Sequence, residues 1–205
     1  MRNSILIGWL IVLPVFGYSQ STIKLKEISC PEKWWVLVHP FVAIKAVRVS
    51  HQAQALVRTD TIQRLFGSDG NGGGLDAFRH SYWMASLSKT IGERKALKLG
   101  LAHEKGNKKD IIKNRLEDGK VPDNVSIDMD LHNNAIGVKL ASKKCPLTKN
   151  ELVKKVHDAF LSGTLVVIKK DEAFNSINAS GKIIPDKEWQ GNLKSKRVLI
   201  PSNCY

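Results

Sequence analysis

The chain has 205 residues, 42% of them hydrophobic and 25% charged, with 32 Lys and Arg against 19 Asp and Glu, for a formal net charge of +13. Its three cysteines include no two at the spacing of a metal knuckle, which argues against a cysteine zinc site and leaves at least one thiol outside any disulfide. The lysines are spread along the chain and not interleaved with aromatics, so no specific nucleic-acid motif is present; the charge fits either plain solubility or an anionic partner such as phospholipid or another envelope component.

Residues 1–19, MRNSILIGWLIVLPVFGYS, read as a secretory signal peptide. Arg2 is the charged start, Ile5 to Phe16 the apolar run, and Gly17 and Ser19 the small residues before a cut ahead of Gln20. The run is shorter than the about 20 apolar residues of a membrane span, and Pro14 lies inside it, which favours cleavage over an uncleaved anchor. The mature chain then holds about 186 residues, enough for one domain with a sizeable core, and no later segment is long and apolar enough to cross a membrane. The expected location is periplasmic or extracellular. Export permits a disulfide, and Cys30 and Cys204 near the two ends can staple them, but the sequence does not choose a pair among Cys30, Cys145 and Cys204.

An N-terminal segment over 20–39 carries the apolar cluster KWWVLVHP. Pro40 opens a helix whose apolar residues recur at helical spacing, and TDTIQRLFG reads as a short helix ended by Gly67. The glycine-rich loop SDGNGGG leads into a helix over about 75–89. Thr90 and Glu93 have the spacing of a capping box, which predicts a new helix beginning there and carrying Ala96, Leu99 and His103 on one stripe. Residues 105–127 read as a polar connection with at most one short helix. Asp128 or Asp130 then caps a helix bearing His132 and Asn133. Thr148 and Glu151 repeat the capping-box form. From Asp171 to Tyr205 the chain is polar, turn-rich and irregular. The expected fold is mainly α: one helical domain over 40–170, a bundle of about five helices, followed by an irregular tail over 171–205.

On the predicted helix after the glycine loop, Asp76, Arg79, His80 and Trp83 stand at i, i+3, i+4 and i+7 and so share a face. Asp76 is placed to orient His80, as a carboxylate does for a catalytic or metal-binding imidazole. A second polar group is His103 with Glu104, and a third is the run DMDLHNNAIG, with Asp130, His132, Asn133, Asn134 and Gly137. Singly, each is as well explained by structural hydrogen bonding. Three such groups on successive helices, where apolar residues would be cheaper to bury, point to a functional cluster.

The order DAFRHSYW, AHE, MDLHNNAIG resembles a family of bacterial proteins classed as a domain of unknown function, found in secreted proteins and at the C-terminal ends of larger toxin-like proteins. Its pattern is Asp-Ala-x-Arg-His-x-x-Trp, Ala-His-Glu, and Asp-x-His-Asn-Asn-x-x-Gly, and it covers about residues 40–170. The resemblance marks Asp76, Arg79, His80, Trp83, His103, Glu104, Asp130, His132, Asn133, Asn134 and Gly137, and implies a helical domain without an activity. A weaker likeness is to secreted phospholipase A2, where a glycine-rich calcium loop precedes the helix with the catalytic His. Here Ser81 stands where that family has Asp directly after the His, and the loop lacks its cysteines.

Two functional classes follow. In the first the protein is an exported hydrolase of an anionic substrate (a phosphodiester, phospholipid or cell-wall polymer). Asp76, Arg79, His80, His103 and Glu104 are then its catalytic candidates, and Trp83, Asn133, Asn134 and Gly137 shape the site. His80, His103, Asp130 and His132 are candidate ligands for a divalent metal, zinc or calcium. In the second it is a non-enzymatic exported binding module whose polar cluster specifies helix packing.

Overall fold

A computed structural model of the chain describes residues 28–113, 115–116, 119–141 and 147–205. The predicted leader, residues 1–19, and Cys145 lie outside the described residues. Cys30 and Cys204 are both exposed, free thiols.

The fold is mainly helical. Eight α-helices are described: α1 (Cys30–Val38), α2 (Pro40–Val57), α3 (Asp60–Phe66), α4 (Gly74–Ile91), α5 (Glu93–Ile112), α6 (Asn124–Leu140), α7 (Lys149–Leu161) and α8 (Asp186–Trp189). The expectation of about five helices was too low. Within 20–39, Ser29 and Glu32 form a reciprocal capping box with Pro31 in the first turn, and the apolar cluster there becomes α1. The single turn of α8 sits in the C-terminal tail. No described helix is long and apolar enough to cross a membrane.

Three boundaries differ from those read in the sequence. The break between α4 and α5 falls at Gly92, whose φ of 85° is costly for Thr or Ile, and the Thr90 hydroxyl instead donates to the Ser86 carbonyl inside α4. The polar stretch after Gly106 extends α5 by two turns, because Gly106, Asn107 and Ile111 form a buried stripe under the exposed lysines. The cap of α6 is Asp123, which accepts from the Ser126 N–H at 2.8 Å and leaves Asp128 and Asp130 inside the helix. The box at Thr148 and Glu151 caps α7 as its spacing predicts.

Helix α4 is the centre of the bundle and is buried on nearly every side. One core lies between it and α3, α6, α7 and strand β1 (Val166–Ile168), built on Phe66, Phe78, Met129, Val156, Phe160 and Ile168. The other lies toward α1, α2 and α5, built on Trp35, Val49, Met84, Leu87, Leu99 and Val138. At Gly137 of α6 an added Cβ would meet the Ser81 carbonyl oxygen at 2.2 Å, so this glycine sets how closely α4 and α6 approach. The tail has little regular structure and is mostly exposed, but a few buried residues dock it on the bundle. Strand β2 (Leu199–Pro201) returns antiparallel to β1, with Val167 opposite Ile200, and Trp189 is 1% exposed.

Candidate functional site

The site begins in the glycine loop. Gly72 has φ 87°, and a Cβ there would strike Ile168 at 2.6 Å, so only glycine fits between the loop and β1. This tuck carries the Gly72 N–H to within 2.7 Å of Asp76 Oδ2, in the first turn of α4. The other oxygen of Asp76 accepts from Arg79, at 3.1 Å from Nε and 2.6 Å from Nη2. Burial pushes the Asp76 carboxyl up, but the Arg79 guanidinium and the His80 imidazole outweigh it and hold it below the usual carboxylate range.

One turn on, His80 is 2% exposed. Its Nε2 lies 3.6 Å from Asp76 Oδ1 and 3.3 Å from Asp130 Oδ1, the latter contributed by α6. Its Nδ1 lies 3.3 Å from Asn134 Oδ1. The Asn134 amide donates from Nδ2 to Glu104 Oε1 at 3.1 Å, and Asn107 donates to Glu104 Oε2 at 3.1 Å. A carboxylate only accepts, so Glu104 fixes the Asn134 amide with its oxygen toward His80. That in turn assigns the Nδ1 proton of His80 and turns Nε2 to the two carboxylates. One ligand atom from each of Asp76, His80 and Asp130 falls within 4.8 Å of the others, so these three can hold a metal ion.

The remaining sequence candidates divide. Glu104 belongs to the site, but it acts through Asn134. His103, next along α5, points about 100° away around that helix. Its Nδ1 pairs with Glu32 of α1 at 3.0 Å, while its ring stands 6.4 Å from that of His80. Burial raises the Glu32 carboxyl, but the hydrogen bond and charge of His103 and the bonds to Ser29 take it down to about 2. Trp83 stands edge-on to both histidines, 6.5 Å from His80 and 5.5 Å from His103, and its Nε1 donates to Ser50 at 2.9 Å. Asn133 clamps β1, donating to the Val166 carbonyl at 2.9 Å and accepting from its N–H at 3.0 Å. His132 is exposed and meets the Thr164 carbonyl at 3.0 Å. Of the four candidate ligands His80, His103, Asp130 and His132, the structure brings together His80 and Asp130, with Asp76 beside them, while His103 is turned to Glu32 and His132 to the Thr164 carbonyl.

A cavity of about 20 Å³ opens off the two carboxylates, walled by Asn71, Gly72, Arg79, Lys120, Ser126 and Trp189 among others. Beyond it lies a cleft of about 500 Å³ that shares the walls Asn71, Arg79 and Lys120 and adds Arg58, Asp69, Lys170 and Phe174. Lys170 is held by the Asp69 carboxylate and the Asn71 carbonyl. Arg58, Lys120 and Lys170 come from distant segments and carry no local signal in the sequence. Glu32 could have been found from its capping box, and Asn107 from its i+3 spacing to Glu104.

Neither curated proteins nor solved structures gave a match to the chain. One family profile does match, over residues 33–164, which is more than half of the chain and includes every residue of the Asp76–His80–Asp130 cluster and its supports. The chain thus belongs to the family described as Domain of unknown function (DUF6973).

Proposed function

We propose that the protein is an exported hydrolase of an anionic substrate, a phosphodiester, phospholipid or cell-wall polymer, with its reacting centre at Asp76, His80 and Asp130. The observation that carries this reading is the convergence of His80 Nε2 with two carboxylates beside a cavity that adjoins a basic cleft. Arg79 lines both spaces and can meet an anionic group from the cleft side while holding Asp76. His80 supplies proton transfer or a ligand position, Asp76 and Asp130 set its charge, and Glu104 with Asn134 fixes its tautomer. His103, paired with Glu32, stands behind His80 and outside the two cavities.

The test is turnover by the purified chain of bis(p-nitrophenyl) phosphate, phosphatidylglycerol vesicles and peptidoglycan. His80→Ala is expected to cut activity by about 100-fold or more while leaving a folded protein, and Arg79→Ala to raise KM. The second reading, a non-enzymatic exported module, is favoured by the near-complete burial of His80. It prevails if none of the three substrates is turned over and His80→Ala acts only by lowering stability.

A further inference from the structure

We propose that Asp76, His80 and Asp130 bind one divalent transition-metal ion of the zinc class, with Gly72, Asn134 and Glu104 orienting the ligands. The assignment rests on the same centre as the hydrolase reading and deepens it. Its first support is the chain from Asn107 through Glu104 and Asn134 to His80 Nδ1. That chain presents Nε2, an unprotonated acceptor, to two carboxylate oxygens, and acceptors so placed suit a cation between them, a proton or a metal ion, beside the Arg79 guanidinium that already meets Asp76. The separations choose between the two. A proton shared by imidazolium and carboxylate draws the heavy atoms to about 2.7–2.9 Å. Ligands around a zinc-class ion, each bound at about 2.0–2.2 Å, stand about 3.3–3.6 Å apart along the edges of a tetrahedron. His80 Nε2 lies 3.3 Å from one carboxylate oxygen and 3.6 Å from the other, which fits a ligand edge and not a shared proton.

The outer groups are those a metal site needs. Gly72 fixes one oxygen of Asp76, and Asn134 takes the distal N–H of the imidazole, as the second partner of a metal-bound histidine does. The cavity of about 20 Å³ against Asp76 and Asp130 has room for one water, the open position of a reactive metal centre. Three protein donors, one imidazole and two carboxylates without thiolate, suit zinc, cobalt or manganese. Calcium, which takes about six to eight oxygen ligands, is a poor fit to an imidazole and two carboxylates.

The experiment uses the full chain without a polyhistidine tag, freed of metal by a chelator and titrated with zinc and with cobalt(II). One ion per chain is expected, with visible cobalt absorption, a rise in the wild-type melting temperature, and no displacement by millimolar calcium. Asp130→Asn and His80→Gln should each weaken binding at least tenfold, whereas His132→Ala should leave it unchanged. Should both ligand variants fail to fold, cobalt-shifted proton NMR of the wild type decides: one exchangeable imidazole N–H supports the site. No binding, binding indifferent to Asp130→Asn and His80→Gln, or two or more shifted imidazole N–H signals would overturn it. An ion bound as described with no hydrolysis of any substrate leaves the metal site standing and removes the hydrolase reading. Hydrolysis that survives the chelator does the reverse.

Discussion

Helix α6 carries two buried aspartates two turns apart, and they end differently. Asp123 meets Arg197 edge to edge, with Arg197 Nε 2.9 Å from Oδ2 and Nη2 2.5 Å from Oδ1. The same Nη2 donates to Ser126 at 2.6 Å, and the guanidinium lies 3.7 Å over the Trp189 ring. Both side chains are fully buried. This is a closed pair, with opposite charges in matching forks, and its product is the docking of the tail on α6. Asp130 instead converges with Asp76 on one imidazole nitrogen, so like charges face one another beside a small void. Convergence of titratable groups beside a void is where perturbed chemistry is found, so the second aspartate is the better place to look for it.

The largest expected effect comes from breaking the closed pair. Arg197→Ala leaves Asp123 as an uncompensated buried charge, and the loss should be about 3–5 kcal/mol in urea unfolding. The double variant Asp123→Asn with Arg197→Met should regain most of it, since the pair's cost of desolvation goes with its charges. Burial raises the Asp123 carboxyl, but Arg197 more than offsets this and holds it below the usual range. Its contribution is therefore complete at neutral pH and is lost only in acid, as pH falls through the lowered value.

Next in size is the spacing of α4 and α6. Gly137→Ala must move a Cβ away from the Ser81 carbonyl, which forces the helices apart at a cost of about 1–3 kcal/mol. Because His80 and Asp130 lie on these two helices, the same change should weaken metal binding and turnover more than its stability loss explains. A variant that is destabilised but keeps full affinity would separate the packing from the site.

The open cluster should respond less in stability than the closed pair or the helix spacing. Asp130→Asn keeps an oxygen acceptor facing His80 while removing the carboxylate charge, and in the metal-free protein it is expected to cost about 1 kcal/mol or less. The same substitution at Asp123 should cost several-fold more. Equal losses at the two aspartates in thermal melts would erase the distinction between them.

How much of this was legible in the sequence depends on whether a relation lay within one helix. Asp76 and His80, four apart, share a face of α4 as their spacing says. On α6 the same arithmetic groups Asp130 with Asn134 and Gly137, and it already set His132, two residues from Asp130, on another side. Treating the run as a single ligand block hid that. His103 and Glu104 likewise diverge by one residue's turn, so only Glu104 joins the chain to His80. The capping-box pattern succeeded at Thr148 and failed at Thr90, where the positive φ of Gly92 decides the break. The polar end of α5 looked like a loop because its lysines face water, while its buried stripe is made of small and polar residues. Nothing local marks Arg197 as the partner of Asp123: the two are 74 residues apart, and a single cation in a basic tail resembles its neighbours until the fold is closed.

The smallest effect concerns a third pair, intermediate between the other two. Glu32 and His103 are joined at 3.0 Å, but the imidazole side chain is 26% exposed, so screening limits the pair to about 1 kcal/mol. The Glu32 carboxyl falls from 4.5 to about 2 on folding. A lowered folded value means that the stabilisation is fully present above the unfolded value and is lost as pH falls toward the folded one, here between 4.5 and about 2. Glu32→Gln keeps a hydrogen-bonding side chain in the same place and removes the titration. Melting temperature followed from neutral pH to pH 2 should then fall less steeply below pH 4.5 in the variant than in the wild type, with the two curves separated by a constant amount above it. His103→Ala should flatten the same limb, because the proton that Glu32 resists is resisted mainly on account of His103. If Glu32→Gln leaves the acid limb unchanged, the pair that joins α1 to α5 contributes nothing to stability.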